Sequence, residues 1–266
     1  EEEGNVDIQI IAKIENQEGV DNLKEILEVA DGVMVARGDL GVEVSLALVP
    51  IYQKKIIAIA NEYGKPVVTA THMLESMMTN PRPTRAEAND VANAILDGTD
   101  CIMLSGESAV GAYPIEAVLT MDKIAKSVEE ILPYRERLDH AIKTSHRTIQ
   151  DAIGISVCNS ALNLDEVDAI VAFTQGGSTA KRISKFRPPV PIFAVTFTKS
   201  IQRKLEANWG VIPLYSDIQN EMTNDDELAS IVAKNYGIEP GRQIIITAGY
   251  PTGEGTANML KIVEVK

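Results

Sequence analysis

The sequence predicts a parallel α/β protein in two parts: four βα units over residues 1–133, then a doubly wound α/β domain of about five strands over 134–266. Three observations carry this. Apolar runs of strand length begin near residues 8, 32, 66 and 100, each followed by a helix-period pattern. The runs are apolar on consecutive residues, as in Val33-Met34-Val35-Ala36, which is how strands buried on both faces read. All four end in polar residues: Lys13 and Glu15, Arg37-Gly38-Asp39, Thr69-Ala70-Thr71, and Ser105-Gly106-Glu107. The carboxyl ends of barrel strands are where such folds place chemistry. The repeat is that of a (β/α)8 barrel or an open parallel sheet.

Each element has a local reason. The first strand runs from Ile8 and ends in Lys13-Ile14-Glu15. Gly19 to Ala30 places Val20, Leu23, Ile26 and Leu27 on one helical face, and Gly32 restarts a strand. Pro50 suits the first turn of a helix reaching about Tyr63, where Gly64 and then Pro66 stop it. Thr84-Arg85-Ala86-Glu87 has the capping-box form, and Gly98 supplies a left-handed stop after Leu96. Cys101 to Leu104 forms the fourth strand, and a long helix runs from about Pro114 to Leu132.

Residues 134–147 are polar and of mixed charge, and read as a linker or the lead into a new domain. Helices are then expected over about 148–162, 178–186, 199–207 and 225–236. Strands alternate with them at Ala169 to Phe173, Ile192 to Val195, Val211 to Tyr215, Gln243 to Thr247 and Met259 to Val265. In the first part, four βα units with helices on one side leave the inner strand face uncovered and both sheet edges unpaired, so half a barrel needs its other half.

Composition narrows the function. The 266 residues are 45% hydrophobic and 24% charged, as in folded globular proteins. With 25 basic against 38 acidic residues the net charge is −13, which repels polyanions and anionic membranes and speaks against nucleic-acid binding. Cys101 and Cys158 show no metal or disulfide spacing, which fits a reducing, cytoplasmic home. No run approaches the length of a membrane helix, and no signal peptide opens the chain. Glu1 to Asn5 look like the tail of an earlier connection, and without an initiator Met the chain reads as an excerpt.

Lys13, Glu15 and Asp39 fall on neighbouring strand ends, two carboxylates and one ammonium. Hard oxygen ligands without His or Cys suit Mg²⁺ or Mn²⁺, and a Lys beside such a metal can hold a transferring phosphoryl group. Thr71, two strands from Lys13, can orient a proton-carrying water.

Five motifs then carry a resemblance: Lys13-Ile14-Glu15-Asn16, Ala36-Arg37-Gly38-Asp39-Leu40-Gly41, Ala70-Thr71-His72-Met73-Leu74-Glu75-Ser76-Met77, Asn80-Pro81-Arg82-Pro83-Thr84-Arg85-Ala86-Glu87 and Met103-Leu104-Ser105-Gly106-Glu107. In this order they closely resemble the pyruvate kinase family, and the likeness extends over the whole chain. It implies that residues 1–133 are the second half of a catalytic (β/α)8 barrel and 134–266 a carboxyl-terminal allosteric domain. It implies phosphoryl transfer from phosphoenolpyruvate to ADP, giving pyruvate and ATP in glycolysis, with Lys13 and Thr71 catalytic. Glu15 and Asp39 would hold Mg²⁺ (or Mn²⁺), and Lys13, Gly38, Asp39 and Thr71 would bind substrate. Arg37, Ser105 and Glu107 are expected to brace the site. The family's K⁺ and nucleotide contacts lie in strands without a counterpart here, so these residues alone are expected to be inactive. The family forms homo-oligomers, tetramers when complete. His72 departs from the Gln common at that position and reads as a packing variant.

In the second part, Thr174-Gln175-Gly176-Gly177-Ser178-Thr179 follows a strand and opens a helix, so backbone N–H groups and hydroxyls converge on a positive helix end. Lys181 and Arg182 add charge, and the Gly-rich stretch Gly249 to Thr256 could close over a ligand, although its Glu254 disfavours a highly anionic one. The resemblance makes this an effector site for a sugar phosphate or nucleotide monophosphate. Two other readings remain at this point. One is an aldolase or decarboxylase working on a metal-bound enolate, against which Lys13 and the cradle weigh. The other is a phosphate-binding module attached to an incomplete barrel.

Overall fold

The computed structural model describes residues 8–216, 225–249 and 257–266. The chain divides into two compact units, Glu1–Leu132 and Pro133–Lys266. Among the described residues, no helix is long and apolar enough to cross a membrane.

In the first unit β1 (Ile11–Ile14), β2 (Gly32–Ala36), β3 (Val67–Ala70) and β4 (Cys101–Met103) form a wholly parallel sheet in sequence order. Each crossover is helical, which a parallel pair requires. The helix Val49–Tyr63 carries Pro50 in its first turn and ends on Gly64 at φ 65. The helix Arg85–Asp97 begins in the expected capping box, with Thr84 and Glu87 each bonded to the other's backbone N–H, and ends on Gly98 at φ 100.

The two faces of this sheet differ. Ile14, Val33, Val35 and Val67 are buried with Val20, Leu23, Leu27, Ile56, Ile57 and Ala60 of the flanking helices. On the other face Lys13, Met34, Val68 and Cys101 are register neighbours across all four strands, and each is exposed or only half-buried. A sheet finished on one face and open on the other is the arrangement expected of a partial barrel.

Three expectations need correction. The first strand is shorter than the apolar run: pairing with β2 begins at Ile11, and Ile10 is held instead by its N–H to Asp31 Oδ2 at 2.9 Å and by its carbonyl accepting from the Asp31 N–H. The helix expected over Gly19–Ala30 is two, Gln17–Asp21 and Leu23–Val29, broken at Asn22, whose amide donates back to the Glu18 carbonyl. For residues 134–147 it is the linker alternative that needs correction: Tyr134–Thr144 is a helix leading into the second unit, with Leu138 fully buried in that unit's core. The charged residues around Leu138 hid a short apolar contact, Leu138 with Ala141 packed beside it.

The second unit holds β5 (Val167–Phe173), β6 (Ile192–Thr196), β7 (Val211–Tyr215), β8 (Gln243–Ala248) and β9 (Met259–Glu264) in the order β7-β6-β5-β8-β9. All pairs are parallel except β8 with β9. Helices Ile149–Asn163 and Ser178–Lys185 cover one face through Val157, Cys158, Ala180 and Ile183. Helix Asp225–Asn235 covers the other through Ala229, Val232 and Ala233, so the sheet is doubly wound. From β5 the chain adds β6 and β7 on one side and β8 on the other. The switch point between β5 and β8 opens at the carboxyl ends of the strands, where such sheets bind ligands.

Candidate functional site

The rim of the first unit is built from strand ends. Lys13, next to last in β1, donates through Nζ to Glu15 Oε2 and, at 2.6 Å, to Asp39 Oδ2. Asp39 reaches this position because the helix Arg37–Glu43 begins directly where β2 ends, setting a carboxylate in its first turn, where the helix dipole favours negative charge. The sequence reading had this segment only as a polar strand end. Its hydrogen bonds to Asp39 and then Glu15 hold Lys13 above its ordinary pKa of 10.5. The hydrogen bond from Lys13 and its charge hold Asp39 below the ordinary 3.8. Both groups stay ionised across the physiological range.

Gly38 connects this charged triad to β3. Its N–H donates to Thr71 Oγ1 at 2.9 Å, and the same hydroxyl donates to the Ala70 carbonyl at 2.7 Å. Thr71 and His72 sit at φ 68 and 53, two consecutive non-glycine residues in the left-handed region. Such conformations cost roughly 1 kcal/mol or more each and need support from their surroundings. Arg37 supplies it: its guanidinium donates to the Ala70 and Thr71 carbonyls, approaches Met73 Sδ at 2.8 Å, and pairs with Asp90 at 2.6 Å. Glu107, 3% exposed, ties the next strand in by accepting from the Leu74 N–H at 3.1 Å and the Ser105 N–H at 2.8 Å.

The structure therefore brings Lys13, Glu15, Asp39, Gly38, Thr71 and Arg37 into one connected network, with Ser105 and Glu107 behind it. His72 is not packed away as the sequence suggested. Its side chain is 62% exposed, and its Cε1 lies 3.5 Å from where a Cβ on Gly38 would stand. Sequence reasoning missed Asp90 and Gln53 as partners of Arg37. Neither lies in a polar strand end, and nothing local marks them.

Fit to a divalent ion rests on the donor set. Glu15 and Asp39 are two half-exposed carboxylates meeting at one ammonium, and no cluster of three or more His, Cys, Asp or Glu occurs among the described residues. Two anionic oxygens with room for water and substrate suit Mg²⁺, which keeps part of its hydration shell, better than Zn²⁺.

At the switch point of the second unit, Thr174 follows β5, and Gly177, at φ 84, caps the helix Ser178–Lys185. A Cβ on Gly177 would also approach Leu205 to 3.1 Å, so both conformation and space call for glycine. Gln175, Gly176 and Ser178 are exposed, whereas Thr174 and Thr179 are buried. The hydroxyls of Thr174, Thr196 and Thr247 are buried without a hydrogen-bond partner among the described residues. The strand registers place all three on one face of the sheet, at the ends of β5, β6 and β8. Thr196 and Thr247 went unnoticed in the sequence, where each merely closes an apolar run. Arg182 does not add free charge here as expected, since it pairs at 2.8 Å with the fully buried Asp151. Of the Gly-rich stretch 249–256, residues 250–256, with Glu254, lie outside the described residues.

Fold and geometry together define an α/β protein with a charged rim at the strand ends of a partial barrel, followed by a doubly wound unit. Residues 1–118 match the family model "Pyruvate kinase, barrel domain" and residues 151–263 match "Pyruvate kinase, alpha/beta domain". The chain belongs to the pyruvate kinase family. It is 51% identical over 271 residues to the pyruvate kinase of Clostridium acetobutylicum, with 100% of this chain and 56% of that protein covered. It is 53% identical over 268 residues to that of Bacillus licheniformis, covering 100% of this chain and 45% of the relative. A crystal structure of a pyruvate kinase from Cryptosporidium parvum superposes with a TM-score of 0.91 at 39% identity, over 97% of this chain and 52% of that one. The chain thus spans about half the length of the relatives it matches.

Proposed function

We propose that these residues supply one half of a pyruvate kinase active site, together with the enzyme's effector domain, and that in a full-length protein they transfer the phosphoryl group of phosphoenolpyruvate to ADP. The observation that carries the proposal is the single ammonium of Lys13 shared by Glu15 and Asp39 at the ends of adjacent strands. In this reading Glu15 and Asp39 hold Mg²⁺ (or Mn²⁺), which when bound supplies concentrated positive charge to phosphoryl and carboxylate oxygens. Lys13, half-exposed, can leave the carboxylates for the transferring phosphoryl group, whose oxygens carry charge that a fixed cation stabilises. Gly38 carries no side chain, so its backbone is open to substrate; a Cβ there would fill the space up to ordinary contact with Thr71 and His72 at 3.5 Å. The bond from the enol oxygen to phosphorus breaks as ADP's terminal oxygen takes the phosphoryl group. The enolate left behind takes a proton at its methylene carbon, delivered through a water oriented by Thr71. Arg37, Ser105 and Glu107 hold these groups in place.

K⁺ and the nucleotide contacts would come from outside residues 1–266, and the exposed face of β1 to β4 would close against the remainder of a barrel. The crevice at Thr174 to Thr179 would take a phosphorylated effector. A cytoplasmic homo-oligomer is the setting this reading implies. The test is a lactate-dehydrogenase-coupled assay of a full-length protein carrying these residues: turnover dependent on phosphoenolpyruvate, ADP and Mg²⁺ is expected, and its absence would refute the proposal.

A further inference from the structure

We propose that Asp90, on the helix Arg85–Asp97, is a positioning residue for the Thr71 hydroxyl and acts through Arg37; this rests on the phosphotransferase reading above. The two carbonyls that Arg37 grips, Ala70 O through Nε at 3.2 Å and Thr71 O through Nη2, belong to the peptide planes on either side of the Thr71 Cα. Fixing both planes fixes the φ and ψ of Thr71, since peptide units are rigid. It thereby aims Oγ1 at the Gly38 N–H, in a backbone region that Thr does not choose by itself.

What fixes the guanidinium is its remaining edge. Nη1 meets Asp90 Oδ1 at 2.7 Å and Gln53 Oε1 at 3.3 Å, and Gln53 is held in turn by Asp97 at 3.0 Å. Of Arg37's acceptors, Asp90 is the charged one, and the Arg37 side chain is only 9% exposed. Without that carboxylate the guanidinium keeps a buried charge paired only with neutral oxygens, and it will shift toward water and loosen its hold on the two carbonyls. The left-handed turn then relaxes and the hydroxyl leaves Gly38.

The effect on Gly38 has its own readout. Gly38 is the second residue of the helix Arg37–Glu43, where an N–H has no intrahelical acceptor, so its protection from exchange comes from Thr71. In a full-length protein carrying these residues, Asp90→Asn should lower kcat roughly tenfold, about 1.4 kcal/mol of transition-state stabilisation, with the KM for phosphoenolpyruvate changed less than about twofold. In a Thr71→Ala background the same substitution should change kcat by less than about twofold, because the group to be positioned is gone. Asp90→Glu, which keeps the charge, should recover most of the activity. An equal loss from Asp90→Asn in both backgrounds would overturn the proposal. Hydrogen exchange followed by mass spectrometry on the same proteins should show faster exchange in the segment holding Gly38 with β2 unchanged, and unchanged Gly38 protection in Asp90→Asn would also overturn it. A parent protein without turnover would refute the phosphotransferase reading instead, and the exchange result would then decide the positioning claim by itself.

Discussion

The Lys13 ammonium stands 2.6 Å from Asp39 Oδ2, joining the end of β1 to the first turn of the helix that follows β2. Neither residue is buried, so the contact contributes little to holding the fold together. Its consequence is chemical. It sets an ammonium and two carboxylates side by side at one point of the rim, with Gly38 and Thr71 next in the network.

Replacing Lys13 by Met in a full-length protein should reduce phosphoryl transfer on the order of 10³-fold while leaving Mg²⁺ binding in place, because one transition-state cation is lost and both carboxylates remain. Steady-state kinetics beside a Mg²⁺ titration would check this. A near-normal rate would remove Lys13 from the chemistry.

Glu15→Gln and Asp39→Asn should each weaken Mg²⁺ or Mn²⁺ binding, since each exchanges an anionic oxygen for a neutral one in a site with two protein carboxylates. Calorimetry reads this directly. Unaltered affinity in both variants would reduce the pair to a surface salt bridge with Lys13.

Glu87 links stability to pH. Burial pushes its carboxyl up, but hydrogen bonds from the Ser76 hydroxyl and N–H and from the Thr84 N–H and hydroxyl outweigh that and hold it below its ordinary 4.5. A group depressed on folding stabilises above its unfolded pKa and loses that contribution as pH falls through the folded value. Glu87→Gln should therefore lower stability by about 1–2 kcal/mol at neutral pH and flatten the fall below about pH 4.5. Denaturant midpoints at pH 7 and pH 3.5 would show it, and an equal deficit at both would contradict the linkage.

Sugar phosphates or nucleotide monophosphates should stabilise the 266-residue chain in a thermal-shift experiment if the Thr174 to Thr179 turn binds them. At ten times the Kd the gain would be about 1.4 kcal/mol. Gly177→Ala should abolish the shift, because it strains a left-handed position and crowds Leu205. A shift that survives that substitution would locate the ligand elsewhere.

The 266-residue chain by itself should not turn over phosphoenolpyruvate, and it should self-associate through the open sheet face around Met34, Val68 and Cys101. Burying that face recovers roughly 25 cal/mol per Å² of apolar surface. Sedimentation and the coupled assay would test both, and an active monomer would refute both.

By itself the sequence determined what depends on short-range patterns. The four parallel strands, the Thr84–Glu87 capping box, the Gly64 and Gly98 stops and the polar strand ends all follow from periodicity, caps and side-chain chemistry within a few residues. The match of motif order then pointed to the family. Tertiary structure decided the rest. Which carboxylates reach Lys13, the pairing of Arg37 with an Asp90 distant in sequence, the left-handed backbone at Thr71 and His72, and the three threonine hydroxyls without a partner among the described residues at the ends of β5, β6 and β8 arise only when strands far apart in sequence are set side by side. The helix Tyr134–Thr144 shows the same limit from the other direction: its composition is that of a solvated segment, and what makes it part of the unit is Leu138 entering a core that other elements form. Local preferences are worth tenths of a kcal/mol per residue, and a buried contact or a charge network, which exists only in the folded chain, can override them.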